Sequence, residues 1–333
     1  MGIKVVRFER GQKEQWGVVS GDRILVLRDS YNTLADFLKN GKEEAERLNT
    51  AGDAETIPLN SVNILSPVTQ PARIICQGVN YSTHRTETGV EAAKPPFNMI
   101  FTKADSSLCG ANSEIIRPEH VKLLDYEIEL GLVIGADISE PLVVMDDNLH
   151  QYIAGLVIVN DVSARDVQLP QGQWLKGKSY RTFCPTGPFL YLLDKEELPL
   201  IHDLQLDLWV NEELRQSANS SQLLYKPAET ISELSEVFDL SIGDLIVTGT
   251  GGGVALNLTP EVNAMLSNLS IPYQQKLETL VEKQLEGNKY LKDGDVVSCQ
   301  IKSANGVIDL GKQKNKVVNS QEKNIKAKET SFV

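Results

Sequence analysis

Short strand-like runs, separated by glycine and proline, dominate the chain from residue 73 to residue 250. These runs are FNMIFTK, YEIELGLVIG, YIAGLVIVN, PFLYLL, LQLDLWVN and DLIVTGT. Helical spacing is confined in this region to short pieces such as AETISELSEVF. Because apolar runs of this length bounded by turn residues are typical of strands, the sequence predicts an α+β fold that is rich in β-structure and has few helices.

The flanking segments suggest how the chain is divided. Three short alternating stretches and one segment of helical spacing predict a small N-terminal β-rich unit over residues 1–66. The main domain is predicted over 67–320. Within it, 258–290 has helical spacing and a high Glu and Lys content, so we expect helices inserted between two strands. Residues 321–333 are polar and lysine-rich and predict a surface tail.

Composition excludes several classes of partner. The net charge is -12 and the pI is about 5.0, so the chain lacks the excess of basic residues that a nucleic-acid backbone requires. No apolar run approaches the roughly 20 residues of a membrane helix, and the N-terminal MGIKVVRFERG is charged where a signal peptide is apolar. The four cysteines lack the spacing of zinc or redox sites. We therefore expect a cytoplasmic protein that acts on a small molecule.

The segment GQWLKGKS, residues 172–179, matches the phosphate-loop pattern of nucleotide-binding proteins. A working phosphate loop lies between a strand and a long helix, whose N-terminus faces the phosphates. Here the nearest strong strand ends at Asn160, and Pro185 and Pro188 prevent a long helix after Lys178. The context therefore argues against nucleotide binding, although the pattern keeps a nucleotide-dependent enzyme as a third hypothesis.

Acidic residues interrupt two of the most apolar runs. On a strand, Glu127 and Glu129 of LLDYEIELGLVIG would share one face, with Cα atoms roughly 6.5 to 7 Å apart. A solvated strand face is the simple interpretation, but the run that follows is apolar throughout, as in strands covered on both faces. Asp161 ends the second run. Three buried carboxylates predict Mg²⁺ or Mn²⁺ rather than zinc, with Asp125 and Asp166 in supporting roles.

Several segments taken together resemble the fumarylacetoacetate hydrolase family, whose members cleave or rearrange 2-oxo acids and β-diketo acids. The segments that carry the resemblance are GVNYSTHRTETG, FTKADSSLCG, LLDYEIELGLVIG, YIAGLVIVNDVSARDVQ, KSYRTFCPTGP and DLIVTGT. The resemblance implies a mixed β-sandwich or β-roll with a small N-terminal α/β unit. It also implies a homodimer.

The resemblance also implies roles for single residues. Glu127, Glu129 and Asp161 correspond to the metal ligands of the family. Lys178 corresponds to a lysine beside the bound oxo acid, which gives GQWLKGKS a different role from phosphate binding. His84 and Glu87 correspond to a catalytic dyad, although a single histidine is more often structural. If the segment is helical, the two side chains share one face, and Glu87 can orient His84.

Three further positions resemble residues that contact substrate. Arg165 and Gln168 correspond to such contacts, and Thr250 corresponds to a residue that holds the substrate carboxylate. Their simpler roles would be a surface ion pair, a solvated amide and a turn hydroxyl.

These residues predict a divalent-metal-dependent hydrolase that cleaves a C–C bond in an acylpyruvate or a related 2,4-diketo acid. The same residues also suit an oxaloacetate decarboxylase or isomerase, which needs no attacking water. A protein that binds a metal and an oxo acid without turnover is a further alternative. The chain departs from the family after TGT, where GGGVAL leads into the helical insertion, so the far end of the substrate pocket is the least transferable part.

Overall fold

A computed structural model describes residues 1–51 and 54–321, so the predicted tail lies outside the described residues except for Gln321. In the N-terminal part the strands are β1 (Ile3–Arg10), β2 (Lys13–Ser20), β3 (Arg23–Val26), β4 (Thr56–Pro58) and β5 (Asn63–Ile64). The strands that follow are β6 (Ile74–Gly78), β7 (Met99–Lys103), β8 (Leu108–Gly110), β9 (Ile115–Arg117), β10 (Leu124–Asp125), β11 (Ile128–Ile134), β12 (Ile153–Asn160), β13 (Ser163–Ala164), β14 (Cys184–Thr186), β15 (Leu190–Leu192), β16 (Leu204–Val210), β17 (Glu213–Asn219), β18 (Leu245–Thr250), β19 (Val296–Ser303) and β20 (Asp309–Asn319).

Helices are short and lie mainly between these strands. They are α1 (Leu34–Asp36), α2 (Lys42–Ala51), α3 (Ser82–Glu87), α4 (Arg165–Gln171), α5 (Trp174–Lys178), α6 (Pro227–Val237), α7 (Pro260–Ser267) and α8 (Tyr273–Leu285). A π-helical turn, Phe37–Gly41, joins α1 to α2, and 3₁₀ turns cover Leu59–Ser61, Asp105–Ser107, Leu149–Gln151, Lys195–Asp203 and Ser220–Gln222. The prediction of a sheet-rich α+β fold with few helices is confirmed.

Three sheets organise the described residues. The largest has thirteen strands, ten of which follow the order β4-β3-β2-β1-β15-β12-β11-β18-β6-β7. A five-stranded sheet has the order β17-β16-β19-β20-β9, and β10 pairs with β13. β11 and β12 lie inside the large sheet and are buried along their whole length, whereas burial alternates along β16. The uninterrupted apolar runs therefore mark the strands that are covered on both faces.

The N-terminal strands belong to the same large sheet as the rest of the chain. β1 pairs antiparallel with β15, with Ile3 opposite Leu192. Trp16 stacks on Phe37 at 4.6 Å between ring centroids, and both side chains share a core with residues of β11, β12 and β18. The predicted boundary at residue 66 thus falls within a continuous sheet, and the division of the chain into domains at this point stays a prediction.

Two of the helices lie within the stretch 258–290, where the sequence predicted a helical insertion. α7 begins at Pro260, and α8 begins directly after Pro272. Proline is tolerated at a helix start because the first N–H groups of a helix have no partner within the helix. α8 packs on α4. The insertion therefore lies against the helix that begins with Arg165.

Candidate functional site

The three acidic residues predicted to bind a metal meet where β11 begins and β12 ends. Glu127 directly precedes β11, Glu129 is its second residue, and Asp161 directly follows β12. The antiparallel register places Ile128 opposite Asn160, and the Asp161 N–H donates to the Glu127 carbonyl at 2.8 Å. All three side chains are buried, and one carboxylate oxygen of each lies within 4.8 Å of the others.

Two lysine side chains hold this acidic cluster together. The Lys178 ammonium group donates to Glu127 Oε2 at 2.5 Å and to Asp161 Oδ2 at 2.6 Å. Lys103, at the end of β7, donates to Asp161 Oδ1 at 2.5 Å. Lys178 ends the five-residue helix α5, and its ammonium is committed to carboxylates. The segment GQWLKGKS therefore supplies a lysine to an acidic site, and the same carboxylates would repel a nucleotide phosphate.

Arg165 supports the cluster from the side of α4. Its guanidinium donates from Nε to Asp125 Oδ2 at 2.9 Å, from Nη1 to Gln168 Oε1 at 2.9 Å, and from Nη2 to Glu127. Asp125 also accepts backbone N–H groups of Ala255 and Leu256. Arg165 is only 2% exposed, which excludes the surface ion pair that was its simpler role. Asp125 has the supporting position that the sequence suggested.

The two glutamates respond differently to the same surroundings. Burial by itself would raise the pKa of Glu127, but the charges of Arg165 and Lys178 outweigh it and lower this pKa. Burial raises the pKa of Glu129 well above its ordinary value, and the neighbouring charges of Asp161 and Glu127 raise it further. The pKa of Lys178 is raised because Asp161 and Glu127 overcome the opposing effect of burial. The charge of Lys178 opposes this rise without overcoming it, so Glu129 is the acid least compensated by positive charge.

The cluster fits a hard divalent cation. Four buried carboxylates, including Asp125, face three basic side chains, Lys103, Lys178 and Arg165. Among residues 1–51 and 54–321, no basic side chain pairs with Glu129, whose Oε2 accepts the Gly249 N–H at 2.5 Å. Oxygen-only donors around an unneutralised carboxylate suit Mg²⁺ or Mn²⁺. These seven side chains form what we term the inner end of the site.

His84 and Glu87 lie on α3 and face each other. His84 Nδ1 is 3.5 Å from Glu87 Oε2, and neither atom has another partner within the described chain. Glu87 Oε1 accepts the Gly253 N–H at 2.7 Å. Gly253 has φ +102°, and an added Cβ would lie 2.0 Å from the Arg215 carbonyl oxygen. The glycine-rich turn after β18 therefore fixes the glutamate that faces the histidine.

Thr250 lies beside the acidic cluster, but its hydroxyl is already engaged. The Oγ1 atom donates to the Ile128 carbonyl at 2.9 Å and accepts from Gln216 Nε2 at 2.8 Å. A hydroxyl has one proton, so in this arrangement it has none left for a substrate carboxylate. The predicted carboxylate contact of Thr250 stays a prediction that would require the hydroxyl to rotate.

A cavity of about 420 Å³ connects these groups. Seven of the nine predicted site residues line it, namely His84, Glu127, Glu129, Arg165, Gln168, Lys178 and Thr250. Asp161 lies behind Lys178, and Glu87 lies behind His84. The part of the cavity formed by α3, the segment after it and the start of the insertion is termed the outer end, and its members are Arg85, Thr88, Val90, Pro95, Phe97, Met99, Leu258 and Asn263.

Three features of the site were not predicted. Lys103 and Arg85 were not singled out, and the role of Gly253 in holding Glu87 was not foreseen. Lys103 ends the run FNMIFTK, where a terminal lysine is typical of a strand that reaches solvent. The one local signal for its burial is its place within a segment that resembles the family. Leu258, at the start of the helical insertion, lines the outer end, and its N–H donates to the Glu87 carbonyl at 2.9 Å.

Comparison with known proteins is consistent with this geometry. The family model described as fumarylacetoacetate (FAA) hydrolase C-terminal matches residues 73–318. The mitochondrial oxaloacetate tautomerase Fahd2a of Rattus norvegicus is 35% identical over 280 residues, which cover 83% of this chain and 79% of that protein. The name of that relative states its reaction and its compartment.

Solved structures share the fold. A fumarylacetoacetate hydrolase from Exiguobacterium antarcticum has a TM-score of 0.73 and 28% identity, covering 95% of this chain and 99% of that one. A maleylpyruvate hydrolase from Sphingobium sp. SYK-6, solved with manganese and pyruvate, has a TM-score of 0.69 and 23% identity, with coverage of 95% and 99%. At 23% identity, the likeness to the second structure supports only the shared fold.

Within the described residues, no helix combines the length and the apolar character needed to cross a membrane. The prediction of a cytoplasmic location is not tested by this finding.

Proposed function

The chain belongs to the fumarylacetoacetate hydrolase family, and from this membership we propose that it is a divalent-metal-dependent enzyme acting on 2-oxo acids of the oxaloacetate type. The observation that supports this proposal most directly is the burial of three converging carboxylates, one of them without a basic partner, beside the Lys178 ammonium group. Such a cluster is unfavourable without a cation and serves no evident purpose in packing.

Glu127, Glu129 and Asp161 would hold the cation. A bound Mg²⁺ or Mn²⁺ would act as a Lewis acid toward the carboxylate and 2-oxo oxygens of the substrate. Lys103 and Arg165 keep two of the acids oriented through their charged hydrogen bonds. The acids are therefore already gathered in one place, but Lys178 contacts Glu127 and Asp161 and must shift for a cation to take over those two carboxylates.

Lys178 supplies the chain's own stabilisation of negative charge. Three reactions of a 2-oxo acid place negative charge on its C2 oxygen. They are enolisation, loss of a carboxylate attached to C3, and cleavage of an acylpyruvate. Once a cation takes over Glu127 and Asp161, the Lys178 ammonium would be released toward that oxygen and would stabilise all three transition states. One site can thus serve an isomerase, a decarboxylase or a hydrolase, and the reaction depends on which bond lies next to the enolate.

His84 is the group placed to move a proton. Its Nδ1 atom faces Glu87, so its Nε2 atom is left for substrate or water in the cavity. In keto–enol interconversion of oxaloacetate, one proton leaves C3 and one is added to the C2 oxygen, or the reverse, with no net change. A histidine with a carboxylate neighbour suits such a transfer near neutral pH.

Oxaloacetate tautomerisation is our first candidate reaction, because the tautomerase relative aligns over most of this chain. The second candidate is acylpyruvate hydrolysis, which the His84 and Glu87 pair favours, since hydrolysis requires a base that activates water. Oxaloacetate decarboxylation requires no such water.

Rapid mixing of the enol form of oxaloacetate with the protein tests the first candidate. We expect the enol absorbance to decay faster with Mg²⁺ or Mn²⁺ than with chelator, and no acceleration by Glu129→Gln. Release of pyruvate from oxaloacetate and loss of acetylpyruvate, followed in parallel, separate decarboxylation and hydrolysis from tautomerisation. The proposal fails if none of the three reactions shows a metal-dependent rate.

His84→Gln distinguishes the candidates further. Loss of a general base lowers the rate by about 10²- to 10⁴-fold. We expect such a loss in tautomerisation and hydrolysis and a much smaller one in decarboxylation, where no proton need be removed before the C–C bond breaks. An equal loss in all three reactions would show that His84 acts through the structure of the cavity.

A further inference from the structure

Arg85 is a buried cation without an anion. It follows His84 on α3, is 9% exposed, and lines the outer end of the cavity. Its Nε atom donates to the Glu91 carbonyl at 2.6 Å, the one hydrogen bond that its side chain makes within the described residues. No carboxylate among the described residues, 1–51 and 54–321, pairs with Arg85. Four of its five N–H donors therefore have no protein acceptor.

The other basic side chains in and beside this cavity are all paired with acidic residues. Lys103, Lys178 and Arg165 each contact at least one carboxylate. Glu87, the acid nearest to Arg85 along α3, is directed at His84 and Gly253 instead. No nitrogen of Arg85 is among the buried atoms that lack a partner, so its free N–H groups face the cavity, where an anionic ligand can accept them.

The charges of the two ends indicate what kind of ligand balances them. The inner end has one more acid than base, so a divalent cation leaves it with one positive charge, which the carboxylate of a 2-oxo acid neutralises. Arg85 then contributes one further positive charge at the outer end. Phe97 and Val90 line the same part of the cavity and are exposed, so this part is open to solvent and to an entering ligand. A second carboxylate at the far end of the substrate would pair with this charge, because Glu87, the acid on α3, is directed at His84 and Gly253.

We propose that Arg85 binds the terminal carboxylate of a dicarboxylic oxo acid whose 2-oxo acid group lies at the inner end, and that Arg85 thereby selects diacids over acids with a neutral tail. This inference rests on the proposed function. A guanidinium offers two parallel N–H groups to a carboxylate, a geometry that lysine cannot reproduce. Oxaloacetate and longer diacids belong to the selected class, and acetylpyruvate, with its methyl end, does not.

A structural role for Arg85 predicts something different. The Nε bond to the Glu91 carbonyl, and the Val90 N–H that donates to the Arg85 carbonyl at 3.1 Å, tie α3 to the segment that follows it. If Arg85 only holds this segment, its replacement should weaken every ligand equally. Discrimination between two ligands that differ only at the far end is therefore the decisive readout.

Malate and lactate form such a pair, since both carry a 2-hydroxy acid group and only malate has a second carboxylate. Calorimetric titration in the presence of Mn²⁺ should show tighter binding of malate than of lactate to the wild type. In Arg85→Gln we expect malate affinity to fall by roughly 10- to 100-fold, the range for a lost charged hydrogen bond, with lactate affinity unchanged. Arg85→Lys should recover part of the difference.

Arg181→Gln, which removes the same charge from an exposed position outside the cavity, is the matched control and should bind both ligands like the wild type. Equal weakening of both ligands by Arg85→Gln, unchanged malate binding, or a wild type that does not prefer malate would each overturn the inference. The proposed function fails separately, through absence of metal-dependent turnover, because the comparison of malate with lactate requires no reaction.

Discussion

The two ends of the cavity are built in different ways. The inner end sits where β11 and β12, both fully buried, meet inside the large sheet, and most of its charged groups are paired. The outer end is formed by α3, the segment after it and the start of the insertion, and its arginine, Arg85, pairs with no carboxylate among the described residues. The acids are held on or next to buried strands and are met by Lys178 and Arg165 from α5 and α4, whereas the groups proposed to meet the far end of the substrate lie on α3 and on connecting segments.

This difference suggests that the inner end determines the chemistry and the outer end determines the choice of substrate. An inner end built on buried strands would hold the proposed metal ligands in place, as electrostatic stabilisation of an enolate requires. An outer end on connecting segments can change without disturbing the strands, as expected where relatives of one fold are named for different reactions and substrates. The comparison predicts that substitutions at the inner end affect every substrate and that substitutions at the outer end discriminate among them.

The largest effects at the inner end are expected when the two glutamates are replaced by glutamine one at a time. Glu127→Gln leaves Arg165 and Lys178 without a shared anion, so we expect the metal-free protein to lose about 3 kcal/mol of stability, the cost of breaking a buried ion pair. Glu129→Gln removes a like charge and keeps an oxygen that accepts the Gly249 N–H, so its metal-free stability should stay within about 1 kcal/mol of the wild type.

Both variants should lose turnover almost completely and should lose the rise in melting temperature that Mg²⁺ or Mn²⁺ produces. Chemical denaturation without metal, followed by thermal melts with metal, measures the two effects separately. If the two substitutions lower the free energy of unfolding of the metal-free protein equally, the different charge environments of the two glutamates have no consequence for stability.

Lys178→Met tests the next largest effect. Loss of one buried donor to a developing oxyanion lowers the rate by about 10²- to 10³-fold. We expect that loss for every substrate, with the metal-induced thermal shift retained because all three acids remain. Lys176→Met, two residues away on α5 and exposed, is the matched control and should keep wild-type rates. A substrate-dependent loss in Lys178→Met would place this lysine with the outer end instead.

The inner end could largely be predicted from the sequence, because its signals are local. Carboxylates within or directly after long apolar runs are rarely compatible with a simple solvated face, and the runs did form strands buried on both faces. Lys103 escaped prediction because its burial depends on the pairing of β7 with β6 at the edge of the large sheet. A terminal lysine on a strand gives no local sign of such burial.

The outer end was predictable only in part, because its contacts join residues far apart in the chain. The bond from Gly253 to Glu87 spans 166 residues, and the pairing of β1 with β15 is likewise long-range. Arg85 follows the predicted dyad residue His84, yet on a short helix an arginine is typically solvated, and only the folded chain places it at the cavity. Local pattern identifies the element type but does not fix which distant segment covers it.

Gly253→Ala tests whether the glycine-rich turn positions the dyad. The added Cβ would meet the Arg215 carbonyl at 2.0 Å, so the turn must shift and move its N–H away from Glu87. We expect a loss of about 1 to 3 kcal/mol in stability and a fall in turnover of about tenfold. Gly294→Ala has a similar φ of +96° with no atom within 4 Å, so it measures the conformational cost alone. Equal effects on stability and turnover in both variants would exclude the positioning role.

The pH dependence of stability gives the smallest effect and isolates Glu129. A carboxyl whose pKa is raised by folding holds extra protons in the folded state. The metal-free protein should therefore lose stability as pH rises from the ordinary pKa of 4.5 toward the raised value, and Glu129→Gln should lose less over the same window. Metal requires the ionised form, so the thermal shift that Mn²⁺ produces should grow with pH. A change of 1 kcal/mol corresponds to about 2 to 4 °C, measurable by calorimetry in metal-free buffer. Parallel pH profiles for wild type and Glu129→Gln would mean that burial at the inner end does not perturb this acid.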